Sequence, residues 1–198
     1  MALRVPPGRT GRLWLLRRLE VARRGAEVLE QKRGTLLRER LRLAAELSAA
    51  RAEWERKASP AAASNARALT AAGPRMLRLA ALHADPATVA VTRRNVLGVV
   101  IPVSGTLNLG AVPEASAVVT LAAEAHREAL SAATSLAVIE AAQNAIETEL
   151  RKTVRRLRAI ERRWIPEHEA ELHRLQLALD ETELADIARG RWAAARQR

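Results

Sequence analysis

Residues 15–54 repeat their apolar positions in alternating steps of four and three. The series runs 15, 19, 22, 26, 29, 33, 36, 40, 43, 47, 50 and 54, and every place is Leu, Ala or Trp except Arg33 and Arg40. A heptad pattern sustained for more than five repeats predicts a coiled-coil helix rather than an ordinary amphipathic one. It spans about Arg12 to Lys57, and at about 1.5 Å per residue would reach roughly 65 Å. Gly25 and Gly34 lie inside it and weaken it by about 1 kcal/mol each. The same pattern returns from Glu114 to about Ala195. There the seam reads 129, 132, 136, 139, 143, 146, 150, 153, 157, 160 and 164, slips by one residue, and resumes at His168, Leu172, Leu175 and Leu179. Pro166 removes a backbone donor and predicts a kink at the slip.

Between the seams the pattern breaks. "ASPAAA" predicts a short helix with Ser59 as N-cap and Pro60 at its first position. Gly73-Pro74 ends that helix, and a second short one runs to about His83. "TVAVT" (88–92) and "NVLGVVIPV" (95–103) are β-branched and read as two short strands forming a β-hairpin. Seven of the eight prolines precede Glu114. The expected organisation is an N-terminal coiled-coil helix (1–57), a middle module (58–113) and a C-terminal coiled-coil helix (114–198), kinked near Pro166. The fold class is mainly α: a long antiparallel two-helix coiled coil with a small module of short helices and the hairpin. The expected seam residues are Leu15, Leu19, Leu29, Leu36, Leu43, Leu47, Leu136, Ile139, Ile146, Leu150, Leu157 and Ile160. Each helix needs only a narrow seam because it has essentially one neighbour.

Composition agrees with thin seams. The 198 residues include no Phe or Tyr, and the four Trp bring aromatic content to 2%. Compact cores normally use aromatics. Trp14, Trp54, Trp164 and Trp192 read as seam fillers, with exposure in the tail as the alternative for Trp192. Cysteine is absent, which excludes disulfides, thiol catalysis and cysteine-ligated zinc and allows a reducing compartment. The N-terminus lacks the apolar stretch of a signal peptide. The most apolar run, 96–112, is interrupted by Gly98, Pro102, Gly105 and Gly110, too short and broken for a membrane span.

The net charge is +11, with 15 basic and 7 acidic side chains in residues 1–57 and near balance after 113. A basic arm suits nucleic acid, an acidic protein face or an anionic membrane. Arg outnumbers Lys 30 to 3 throughout, a bias of the whole chain rather than of one patch. "RKTVRRLRAIERR" (151–163) has seven basic residues in thirteen. It reads as a solvated coiled-coil flank, with protein docking and nucleic-acid backbone contact as alternatives. Arg33 and Arg40 either snorkel or pair across the seam, or loosen it for a partner. "HEAELH" (168–173) misses the zinc-protease spacing, since Leu172 stands where the second histidine belongs. These read as solvated helix residues. "GTLNLG" (105–110) lacks the Lys-Ser or Lys-Thr of a phosphate loop and reads as a loop before the next helix. No catalytic, cofactor or metal residues emerge.

Two blocks carry a resemblance. "GRTGRLWLLRRLEVARRGAEVLEQKRGTL" resembles the N-terminal helix of the D subunit of V-type and archaeal-type ATP synthases, with Leu19, Ala22, Gly25, Leu29, Lys32, Arg33 and Leu36 in the family pattern. "TELRKTVRRLRAIERRWIPEHEAELHRLQLALDETE" resembles its C-terminal helix through Arg155, Arg156, Leu157, Glu161, Ile165 and Pro166, with Glu181 and Glu183 where the acidic run begins. Gly34, Arg158 and Ile160 depart from the pattern. The resemblance implies a central-stalk rotor component, a peripheral part of the ATPase complex on the cytoplasmic face of the membrane. It would transmit torque between the membrane ring and the catalytic A3B3 head, with no active site, nucleotide or cofactor of its own. The implied partners are the A and B subunits, the F subunit and the C/d-type cap of the membrane ring, with no nucleic acid and no membrane insertion. Arg12, Arg17, Arg18, Arg162, Arg163 and Arg174 are then candidates for head contact. Val96, Val99, Val100 and Ile101 are candidates for contact with the F-like partner. The competing reading is a basic coiled-coil adaptor or nucleic-acid-associated protein.

Overall fold

A computed structural model of the chain describes residues 5–82, 85–110 and 116–196. In chain order these form helix α1 (Gly8–Leu82), strands β1 (Thr88–Val96) and β2 (Val99–Asn108), helix α2 (Ala117–Ala159), a π-helical turn (Ile160–Trp164) and helix α3 (Ile165–Arg196). The expected helix end at His83 and restart at Glu114 lie outside the described residues.

The chain divides into two compact units. The first joins Met1–Gly34 with Arg151–Arg198, and the second is Thr35–Leu150. Within the first, the opening stretch of α1 runs antiparallel to the end of the chain, as the ion pairs Arg9–Glu183 (2.8 Å) and Arg23–Glu169 (2.7 Å) show. Leu15, Leu19, Ala26, Thr153, Leu157 and His168 are its buried side chains. The π turn accounts for the slip in the seam. The Ile165 N–H donates to the Ile160 carbonyl, a step of five, so one extra residue enters the helix just before Pro166, which has no N–H to give. Three consecutive steps of four, 160 to 164 to 168 to 172, follow directly.

The second unit packs the rest of α1 antiparallel to the start of α2, tied by Arg51–Glu140 (3.1 Å), and lays the hairpin against them. Its core holds Leu36, Leu43, Ile101, Val138, Ile146 and Leu150, with Ala61, Ala68, Ala122, Ala132 and Ala142 also buried. Small side chains let helix axes approach closely. The seam positions are buried or half-buried in both helices except Trp54, which is 37% exposed.

Three expectations change. The helix does not restart at Ser59: α1 continues through Pro60 and breaks only at Gly73 (φ 76°, ψ 162°), a conformation open essentially to glycine alone. Helical packing on both sides outweighs the single donor lost at Pro60. The run "NVLGVVIPV" is not one strand. Leu97 and Gly98, both at positive φ, make the two-residue hairpin turn between β1 and β2, and the Asn95 side-chain oxygen accepts from the Gly98 N–H at 2.8 Å. Finally, residues 105–108 of "GTLNLG" belong to β2 rather than to a loop. Gly105 is there because β2 touches α2: a Cβ would lie 2.9 Å from Thr134 Cγ2 and 3.0 Å from Val138 Cγ2. The register shifts between Thr92 and Arg93, leaving Val103 as an extra residue in β2 beside Pro102.

Candidate functional site

The first unit gathers the six candidate arginines. Arg12, Arg17, Arg18, Arg162, Arg163 and Arg174 are all exposed. Arg163 donates to Glu167 at 3.1 Å and Arg174 pairs with Glu171 at 3.0 Å. Among the described residues, no carboxylate partners Arg12, Arg17, Arg18 or Arg162. Arg18 is held by aromatic rings instead. Its guanidinium lies 4.5 Å from the Trp14 ring centre and 5.8 Å from that of Trp164, within range of cation–π attraction. Trp164 stacks on His168 at 3.5 Å and 21°. The His168 Nδ1–H donates to the Trp164 carbonyl at 2.8 Å. That bond requires a proton on Nδ1, and Nε2 is buried without a partner.

His168 is 2% exposed, which corrects the reading of "HEAELH" as wholly solvated. The fold turns the two histidines apart. His173 is exposed, and five residues along a helix rotate it well off the His168 face. Among the described residues, no group of three His, Cys, Asp or Glu could hold a metal. The aromatic–cation ladder escaped the reading of the tryptophans as seam fillers. Its signal was the i, i+4 spacing of Trp14 and Arg18. Trp192 is 72% exposed, so it fills no seam and the alternative of an open tail position holds. Arg33 and Arg40 are half-buried. Arg33 pairs along its own helix with Glu30 rather than across the seam.

In the second unit the hairpin separates the four candidate valine and isoleucine positions. Val100 and Ile101 are neighbours in a strand and face opposite ways. Val100 is 58% exposed, whereas Ile101 is 1% exposed and belongs to the unit's own core. Val96 and Val99, paired across the turn, are half-buried. The hairpin is fastened to α1 by Arg94, whose guanidinium donates to Glu39 at 3.0 Å while Arg42 donates to the same oxygen at 2.7 Å. The Arg42 hydrogen bond and the charges of Arg42 and Arg94 hold the Glu39 carboxyl below the ordinary carboxylate range, against the opposing effect of burial.

Of the seam candidates, Leu15, Leu19, Leu36, Leu43, Ile146, Leu150 and Leu157 are buried, and Leu29, Leu47, Leu136, Ile139 and Ile160 half-buried. No helix among the described residues is long and apolar enough to cross a membrane.

These features define a class first: a protein of seamed antiparallel helices carrying a β-hairpin, with exposed cations on helix flanks. Comparison with known proteins then names the family. The sequence profile of the ATP synthase D-subunit family matches residues 13–195. The D subunit of the A-type ATP synthase of Thermococcus gammatolerans is 33% identical over 94% of this chain and 92% of its own length. Those of Pyrococcus horikoshii and Methanopyrus kandleri are 30% and 29% identical, over 94% and 93% of this chain and 92% and 83% of their own lengths. The chain belongs to the ATP synthase D-subunit family and is similar along nearly its whole length to the family's A-type members.

Proposed function

We propose that this chain is the central-stalk rotor component of a V/A-type rotary ATPase or ATP synthase, carrying torque between the membrane ring and the catalytic A3B3 head. The observation that carries the reading is the match of 13–195 to the D-subunit family on a fold built from two long seamed helices. Two helices joined along a seam resist twisting better than one. An outer surface rich in exposed arginine makes weak, exchangeable contacts with subunits it must turn against, and a basic rotor is retained electrostatically by an acidic collar at any angle. In this role the chain is non-catalytic and takes no nucleotide or cofactor. It works at the cytoplasmic face of the membrane as a peripheral component. Its partners are the A and B subunits at Arg12, Arg17, Arg18, Arg162, Arg163 and Arg174, an F-type subunit on the hairpin side, and the C/d-type cap of the ring. Of Val96, Val99, Val100 and Ile101, Val100 has the most free surface for the F-type partner.

The test is recovery of the tagged chain from its native membranes with mass spectrometry of its companions. A-, B- and F-type subunits in fixed ratio are expected. Recovery of nucleic acid or ribosomal protein without ATPase subunits would sink the reading and favour a basic coiled-coil adaptor. Replacing Arg12, Arg17 and Arg162 together by Ala should lower coupling of ATP hydrolysis to ion transport while leaving the helical circular dichroism intact.

A further inference from the structure

The first unit carries, outside its seam, an open groove of about 480 Å³ lined by Leu13, Trp14, Arg17, Arg18, Val21 and Trp164. Its apolar floor is unusually available: Leu13 is 57% and Val21 72% exposed. Two of the chain's four aromatic side chains meet here. No carboxylate lines it. By contrast, a second groove on the same unit is lined by Glu20, Glu27 and Glu169 as well as Arg23 and Arg24, and its cations are already paired with Glu20 and Glu169. Trp and Arg around an apolar centre is the composition of an interaction hot spot. The parts are also held in advance. Arg18 lies against both rings, and Trp164 is fixed by its stack on His168 at the π turn. Little side-chain freedom remains to be lost on binding.

We infer that this groove docks an apolar side chain flanked by carboxylates on a partner protein. The apolar group covers Leu13, Val21 and the Trp faces, and the carboxylates meet Arg17 and Arg18, which have no such partner within the chain's described residues. The inference rests on the rotor reading, which makes that partner a segment of the catalytic head.

The test measures binding of the full-length chain to purified catalytic head from which the native rotor has been removed, for the wild type and for Val21→Glu, Arg17→Glu and Val28→Glu. Val28 is 59% exposed on the same helix and does not line the groove, so its variant controls for charge alone. All three positions are exposed, and circular dichroism checks that the helices persist. The expected result is roughly 10- to 100-fold weaker binding for Val21→Glu and Arg17→Glu and less than about threefold for Val28→Glu. Wild-type affinity in both groove variants, or equal weakening in all three, would overturn the groove while leaving the rotor reading standing. Failure of the wild-type chain to bind the head would remove the rotor reading and this inference together. Duplex DNA or phosphatidylglycerol vesicles are added as competing probes. Binding to either that Val21→Glu weakens as strongly as it weakens head binding would also overturn it, by making the groove a general polyanion site.

Discussion

The two units bury their helices by different means. Among the described residues, alanine accounts for five buried positions of the second unit and one of the first. In the second, small residues sit beside larger ones, to the point that Gly105 of β2 has no room for a methyl group beside the Thr134 and Val138 side chains of α2. In the first, larger side chains fill the seam: Leu15, Leu19, Leu157 and the His168–Trp164 stack. The second unit also buries Leu36, Leu43, Ile101, Ile146 and Leu150, so it is vulnerable to added atoms at its Ala and Gly positions as well as to removed atoms. The first, with one buried Ala, is vulnerable chiefly to removed atoms. The difference also separates what each unit can offer a partner. Two of the first unit's tryptophans stand at its margin beside Arg17 and Arg18, which no carboxylate among the described residues engages. The second unit turns Arg94 and Arg42 inward on Glu39 to hold its hairpin.

The largest effect should come from deleting atoms in the first unit. Leu15→Ala removes a side chain with no exposed surface and should cost about 2–5 kcal/mol, measured by urea unfolding. A loss below about 1 kcal/mol would mean that the seam collapses freely onto the gap. Next, Gly105→Val should cost about 1–3 kcal/mol by overpacking the hairpin against Thr134 and Val138. Hydrogen exchange should then rise first in β1 and β2, and unchanged hairpin protection would contradict the close approach.

A smaller effect attaches to Glu39. Its folded-state carboxyl titrates below the unfolded one, so its contribution is present above about pH 4.3 and is lost as the pH falls through the lower folded value. Glu39→Gln should cost about 1 kcal/mol at neutral pH and flatten the acid limb of stability. An identical acid limb in the variant would show that the hairpin is held by apolar contact alone. The smallest effect has the opposite sign. Gly34 sits inside α1 with open space where a Cβ would be, and Gly34→Ala should stabilise by about 0.5–1 kcal/mol. A destabilised variant would contradict the open space at that position.

The sequence by itself determined the positions that close on one another in each helix. A period of three and four is a local property, and burial follows it wherever a second helix carries the same period. It also determined the break at Gly73-Pro74 and the existence of two strands, because glycine, proline and β-branched residues act on their own backbone. Both terminal blocks of the family pattern were legible for the same reason. Tertiary structure decided what depends on distant neighbours. Helix packing carried α1 through Pro60, and pairing with β1 turned "GTLNLG" from a loop into strand. Glu39 and Arg94 stand 55 residues apart, and nothing local marks either as the other's partner. The same holds for the candidate site. The exposed arginines could be listed from the sequence. Only the antiparallel pairing of α1 with the end of the chain, through a π turn that re-aims Trp164, set Arg18 between two tryptophans and left a groove beside them.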